Sequence, residues 1–494
     1  MTLATSLKSR VAVADAGPPA ALETKAVVPA ARGQSPGLRI VWYRSGEMLQ
    51  FGGGERVLLE GLRSLTDLGA DVRLLLHEPP TSPTGAWFAE RYRKVEWLPG
   101  FSVGAPEGPA AARFVRRVRT LARMLRSIAP DVVVAESPVE ARFLWLYSLG
   151  GRLRLPPVAT FIHGSPFQFA DDATKYARVF RPHFADIRKN DPVYREMIPA
   201  DPPPMPAATR LRLDLECAVV RAGVRMSARL FVLSQKNRAE VARLYGVDEG
   251  KAIVAAPGGF ARSAIVPAAT RANPRNDANA ANAVDTVDAV DAVEGGSPPF
   301  RDLTRPLVLS VCRLIAKKRV DLLIRAFRVL ADRDPASTAT LVIGGAGPEE
   351  PALRALAASL RLERRVRFIG FIPEAELAGW YRAADVFVSA DNADYDLTVM
   401  AALPAGKNVV VSTQYDVPAG LTALRRHFFV AQPSAAGYAQ AIASALASPA
   451  PATAAGEAGQ RELDALCWES YFGVIHEQLQ SAAAEAAQRQ RTHA

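Results

Sequence analysis

Three groups of residues in this chain carry side chains suited to chemistry on an anionic ligand. The segment Ser310–Phe327, SVCRLIAKKRVDLLIRAF, ends an apolar run with Arg313 and places Lys318 five residues later. Two cations at the carboxyl end of a strand can neutralise the charge that grows on a departing diphosphate. Lys317 and Arg319 are cationic as well, so the competing reading is a solvated basic turn. Further on, VFVSADNADYDLTVMAALPAGKNVVVS spans Val386–Ser412. Its loop carries Asp391, Asp394 and Asp396, and either Asp396 or Thr398 suits the N-cap of the helix that follows. The amides and dipole of that helix favour an anion, which makes Tyr395, Asp396, Leu397 and Thr398 candidates for contact with a phosphate. The third group lies earlier. His163 directly follows the apolar run of TFIHGSPF, and Gly52, Gly53, Gly54 and Glu55 precede a helical pattern. Such a glycine loop lets the backbone approach a ligand. His163 reads either as a site residue, because it ends a strand, or as a buried and satisfied histidine.

The elements that must position these groups follow a strand–helix alternation. Apolar runs at Arg39–Trp42, Val72–Leu76, Asp131–Val134, Pro157–Ile162, Leu230–Leu233 and Ala252–Ala256 predict buried parallel strands, with helical patterns between most of them. The pattern restarts at Leu307–Val311, Thr340–Ile343, Val366–Ile369, Val386–Val388, Val409–Ser412 and Phe428–Val430. Asp321–Leu330, Glu350–Ala358 and Glu374–Ala383 read as helices. Gly344, Gly345 and Gly347 allow a tight strand-to-helix turn at which a ligand can approach the backbone. Between the two halves, NPRNDANAANAVDTVDAVDAVEGGSPP has a three-residue period that matches neither helix nor strand. It predicts a flexible linker with a low-complexity insertion. The expected organisation is a disordered leader over 1–37, an α/β domain over 38–261, the linker over 262–302, a second α/β domain over 303–460 and a tail over 461–494. Leu466, Trp468, Tyr471, Phe472 and Ile475 predict a packed helix in that tail, ending in a polar, frayed stretch. The fold class is therefore α/β, with two doubly wound, Rossmann-like domains and a C-terminal helix.

Composition narrows the classes. At 494 residues the chain exceeds one ordinary core, and 49% apolar residues are typical of a globular protein. No apolar run is long enough to span a bilayer, and the start lacks the compact hydrophobic core of a signal peptide, so a cytoplasmic location is expected. Cys217, Cys312 and Cys467 lie far apart and show no metal-ligand spacing. A net charge of +10 suits phosphates or anionic headgroups, while no motif supports nucleic acid.

The Val386–Ser412 stretch closely resembles the donor-binding signature of the family-four glycosyltransferases, two-domain GT-B enzymes that use nucleotide-sugar donors. That signature carries two glutamates eight positions apart, whereas this chain has Ala393 and Ala401 there. The resemblance implies that Arg313 and Lys318 contact the donor's diphosphate. It implies that Gly52 and Gly53, in a Gly-Gly-x-Glu loop completed by Glu55, face the donor together with Gly345. It places His163 near the donor sugar and acceptor, and Phe371 and Ile372 near the nucleotide base. Asp394, one residue from the first empty slot, either replaces the missing glutamate or is a turn residue. Gly258 stands where the family commonly has asparagine. The implied reaction moves a sugar to a glycan or lipid-linked acceptor with retention of configuration, without metal or cofactor, as in surface polysaccharide or glycolipid synthesis. The rival reading is a non-catalytic GT-B protein that binds a glycan or scaffolds another transferase.

One further segment, Arg113–Ile128, sets Phe114, Val118, Leu121, Leu125 and Ile128 on one helical stripe. Arg113, Arg116, Arg117 and Arg123 lie off that stripe. The helix either packs its stripe on the sheet or lies on an anionic membrane at the inner face, and an arginine rim on headgroups is compatible with both.

Overall fold

A computed structural model describes residues 37–45, 53–76, 94–97, 110–149, 155–164, 205–257, 303–391, 393–450 and 456–492. The leader before residue 37, the linker insertion, Gly52 and Gly258 lie outside them, as does the side chain of Arg113. The chain divides into two compact units, the later one ending at Cys467 and the earlier one including Trp468 onward.

The earlier unit contains β1 (Arg39–Arg44), α1 (Gly53–Asp67), β2 (Asp71–Leu76), β3 (Val95–Trp97), α2 (Ala110–Ile128), β4 (Val132–Ala135) and α3 (Pro138–Ser148). It continues with β5 (Val158–Ile162), α4 (Ala207–Met226), β6 (Arg229–Val232), α5 (Gln235–Tyr245) and β7 (Ala252–Val254). The strands form one seven-stranded sheet in the order β3-β2-β1-β4-β5-β6-β7, with parallel pairing throughout. Both faces are covered, which is why β4 and β5 are fully buried and read as unbroken β-branched and apolar runs. Serines end the strand-to-helix turns, with Ser137 Oγ accepting from the Val139 amide and Ser234 Oγ from the Asn237 amide. The edge strand β3 is not among the six expected, because three residues containing Glu96 give no apolar run.

The stripe of α2 settles into the core, with Val118, Leu121, Ala122 and Leu125 buried beside Val41 and Val133. Arg116, Arg119 and Arg123 stay exposed, so the packing reading holds for the stripe and the rim faces outward.

The later unit contains β8 (Leu307–Val311), α6 (Val320–Arg333), β9 (Thr340–Gly344), α7 (Glu350–Ser359), β10 (Val366–Gly370), α8 (Glu374–Ala383), β11 (Val386–Val388) and α9 (Leu397–Ala402). Then come β12 (Asn408–Ser412), β13 (Phe428–Ala431), α10 (Ala435–Ala447) and α11 (Gly456–Ala465). Its parallel sheet runs β10-β9-β8-β11-β12-β13. All six expected strands are present. In both sheets the order reverses beside the first strand, between β1 and β4 and between β8 and β11, and ligands of such folds sit beyond the carboxyl ends at that reversal.

The last helix, α12 (Trp468–Thr492), belongs to the earlier unit. Trp468, Tyr471, Phe472, Ile475 and Leu479 are buried, and Phe472 meets the ring of Trp42 at 6.5 Å. Gly61 of α1 makes room for this contact, since a Cβ there would lie 2.6 Å from Trp42 and 2.9 Å from Phe472. The tail departs from expectation at its end, where the helix continues to Thr492 instead of fraying. Alanine, glutamate and glutamine favour helix there, and Arg229 clasps Glu485, with Ser481 and Gln478 completing the contact. Among the described residues no helix is long and apolar enough to cross a membrane.

Candidate functional site

At the reversal in the later unit, the turn after β8 faces the loop after β11. Arg313 is exposed, and among the described residues no ion pair holds it. Lys318 behaves differently. Its ammonium pairs with Asp391 and lies 3.5 Å from Asp396 Oδ2, while Lys317 Nζ is 4.0 Å from Asp391 Oδ1. Asp396 is also the N-cap of α9, accepting from the Thr398 amide at 2.9 Å and the Thr398 hydroxyl at 2.7 Å. Ser389 Oγ donates to its other oxygen at 2.9 Å. Asp396 thus fills the cap position that the sequence left open between it and Thr398. The anion at the start of this short helix is a carboxylate of the chain itself.

Burial shapes the charges in this cluster. Desolvation opposes the Lys318 charge, but Asp396 and Asp391 outweigh it and hold the ammonium above the ordinary lysine range. Lys317 lacks that compensation, so burial pulls it down despite Asp391. Asp396 is held below the usual carboxylate range because Lys318, Thr398 and Ser389 overcome its desolvation. Cys312, half-buried beside them, is pushed up to about 12 by desolvation and remains a neutral thiol.

Gly345, Asp394 and Tyr395 belong to the same unit as this cluster. Gly345 adopts φ +124°, and a Cβ there would lie 1.8 Å from the Cys312 carbonyl oxygen. Its amide donates to the Gly370 carbonyl at 2.6 Å. The glycines of this turn therefore let the β9 loop press on the backbone that carries Arg313. Tyr395 is buried and stacks on Tyr415 at 6.4 Å, so its ring belongs to the core. Asp394 is buried and its carbonyl accepts from the Asp416 amide at 2.8 Å. Ala393 and Ala401 are buried as well, at 5% and 2% exposure. Leu397 opens α9 and is half-buried. Phe371 is exposed and Ile372 buried, the latter against Gly344.

In the earlier unit, register pairs Tyr43 with Ala135 and Ala135 with Thr160, so Arg44, Glu136 and Phe161 emerge side by side. Gly53 begins α1, and Glu55 in its first turn accepts from Arg44 Nη2 at 2.7 Å. Arg44 Nη1 also lies 3.5 Å from Glu136 Oε1. Burial disfavours the Arg44 charge, and Glu136 and Glu55 more than restore it. Glu140, in the first turn of α3, accepts from the Ser45 amide at 2.9 Å. His163 stacks on Phe161 at 5.5 Å, and its Nε2 lies 3.7 Å from Glu136 Oε1.

Arg44, Glu136 and Glu140 were not among the sequence candidates. The signal was present in VVVAESPVEA, where a carboxylate directly follows a buried strand. Such a residue is either solvated or held by partners, and only the neighbouring strands show which.

Comparison with known proteins agrees with this layout. Residues 298–462 match the family described as Glycosyl transferases group 1, and residues 52–258 match the Glycosyl transferase 4-like domain. The mannosylfructose-phosphate synthase of Agrobacterium fabrum is 35% identical over 113 residues, which is 22% of this chain and 25% of that protein. A D-inositol 3-phosphate glycosyltransferase of Streptomyces scabiei is 27% identical over 278 residues, covering 55% of this chain and 56% of that protein. The matched stretches thus span between a quarter and just over half of these relatives. Among solved structures, HepE of Anabaena in complex with UDP and glucose superimposes with a TM-score of 0.59 at 17% identity, covering 90% of this chain and 100% of that one. The sucrose-phosphate synthase of Thermosynechococcus elongatus gives 0.61 at 17% identity, with the same coverage. These likenesses show the fold.

Proposed function

We propose that this chain, whose residues 298–462 match the group 1 glycosyltransferases and whose residues 52–258 match the 4-like domain, moves a sugar from a nucleotide diphosphate to a glycan or lipid-linked acceptor. In that reaction the bond from the sugar carbon to the diphosphate oxygen breaks, and a bond from an acceptor hydroxyl oxygen forms. The hydroxyl proton leaves with the diphosphate, and retention of configuration is expected. The observation that carries the reading is the exposed guanidinium of Arg313 at the sheet reversal, near the half-buried Lys318. A planar guanidinium suits bidentate contact with phosphate oxygens. Gly53, Glu55 and His163 serve the sugar side, and HepE, which shares the fold, holds UDP. Contact of Arg116 and Arg123 with anionic headgroups, at a membrane's cytoplasmic face, suits a lipid-linked acceptor.

One observation favours the rival, non-catalytic reading. Lys318 and the Thr398 amide, which a donor phosphate would engage, are already engaged by Asp391 and Asp396. Under the transferase reading the donor displaces or shares those contacts, so affinity is modest.

Titration calorimetry with UDP, GDP and ADP separates the two. The transferase reading expects binding of at least one nucleotide below millimolar Kd, and donor turnover in the matching nucleotide sugar. Absence of binding by all three at millimolar concentration favours the scaffold. Arg313→Ala is the variant of choice, because Lys318→Ala also leaves two buried carboxylates without their partner.

A further inference from the structure

Three aromatic rings form a ladder at the carboxyl edge of the first sheet. Trp42 stacks on Phe161 at 5.2 Å and 10°, and Phe161 stacks on His163 at 5.5 Å and 11°. Phe161 and His163 are two residues apart at the end of β5 and so share one side. Glu136 bridges the outer rungs. Its Oε2 accepts from Trp42 Nε1, and its Oε1 lies 3.7 Å from His163 Nε2. Glu136 is 6% exposed, and Nε2 is a buried nitrogen with no hydrogen-bond partner at its present distance. A shift of under an ångström would close that gap to a hydrogen bond. The other charge beside Glu136 Oε1 is Arg44 at 3.5 Å, and a carboxylate can only accept.

We propose that Glu136 is the positioning residue of His163, fixing the ring as the Nε2–H tautomer so that Nδ1 carries the lone pair. The stack fixes the plane of the imidazole and the carboxylate fixes its protonated nitrogen. Nδ1 is then an acceptor for a hydroxyl of the sugar or acceptor, and His163 orients a substrate instead of donating to it. The orientation of a ring by a carboxylate on its far nitrogen is a general device. The activity consequence rests on the transferase reading; the tautomer itself does not.

Glu136→Gln gives a discriminating test. Trp42 Nε1 can only donate, so the glutamine oxygen must stay with it and the amide NH2 turns to His163. Nε2 must then accept, which reverses the tautomer without altering shape. Imidazole 15N spectra of the full chain at alkaline pH, assigned with His163→Gln, report the neutral ring directly. The expected result is a dominant Nε2–H form in the wild type and a dominant Nδ1–H form in Glu136→Gln. With donor and acceptor supplied, kcat falls about 10- to 100-fold while the Kd for nucleotide diphosphate is unchanged. An Nδ1–H ring in the wild type overturns the proposal even if the variant does not fold. The same tautomer in both proteins, or equal kcat in both, also overturns it. Failure of the wild type to bind any nucleotide, with the tautomers as expected, removes the transferase reading and leaves the pairing standing.

Discussion

Lys318 and Asp396 lie 3.5 Å apart with Asp391 completing the charge pair, and the same Asp396 carboxylate caps the helix Leu397–Ala402. The cation and the helix amide expected to receive a phosphate are thereby joined through one side chain. Nucleotide affinity and local stability are coupled at this residue.

Asp396→Asn separates the two effects. Asparagine caps as well as aspartate but carries no charge, so the cap survives while the ammonium loses one partner. Nucleotide diphosphate should bind several-fold more tightly to Asp396→Asn than to the wild type, by calorimetry, with nearly unchanged secondary structure. Equal or weaker binding would show that the carboxylate does not compete with the donor.

Lys318→Ala should be costly before any ligand is added. Removing one member of a buried charge cluster costs about 3–5 kcal/mol, because the remaining charges stay desolvated. Urea denaturation measures this, and a loss under about 1 kcal/mol would mean that water already reaches Asp391 and Asp396.

Gly345→Ala and Gly370→Ala test the role of close approach. Both glycines have positive φ, at +124° and +73°, but only at Gly345 would a Cβ strike backbone, 1.8 Å from the Cys312 oxygen. The Gly370 variant should lose about 1–2 kcal/mol from left-handed strain alone. The Gly345 variant should lose more and also weaken nucleotide binding, since the backbone bearing Arg313 must move. Equal losses would place the constraint elsewhere.

Acid should destabilise the later unit through His427. Its buried ring exchanges a hydrogen bond with Asn408 and accepts from Arg426, and burial with the nearby Arg426 charge lowers its proton affinity. The unfolded histidine titrates near about 6.5 and the folded one lower, so the unfolded state binds more protons between them. The stabilising contribution is present above that range and is lost as pH falls through the folded value. His476, on α12 of the earlier unit, is likewise lowered by burial and acts in the same direction there. Denaturation midpoints from pH 8 to 5 should decline, and less steeply in His427→Gln; parallel profiles would exclude His427.

Much of the fold was legible because parallel strands buried on both faces are unbroken apolar runs, and β8 and β11 begin and end where expected. Arg313 and His163 follow strand ends as expected, whereas Lys318 ends the short 3-10 turn Ala316–Lys318. What the sequence did not disclose is pairing across elements. Lys318 and Asp391 are 73 residues apart, and Trp42 and Glu136 are 94 apart, so neither contact leaves a local pattern. Tyr395 shows the converse. Its position in the loop suggested a ligand contact, yet the stack on Tyr415 claims its ring.

The most direct test of the central claim is calorimetric titration of UDP, GDP and ADP into wild type and Arg313→Ala. The wild type is expected to bind at least one nucleotide with a submillimolar Kd. Arg313→Ala is expected to lose about 10- to 100-fold, the worth of one charge-assisted contact of about 1.5–3 kcal/mol. Binding unchanged by Arg313→Ala, or no binding of any of the three at millimolar concentration, would contradict it.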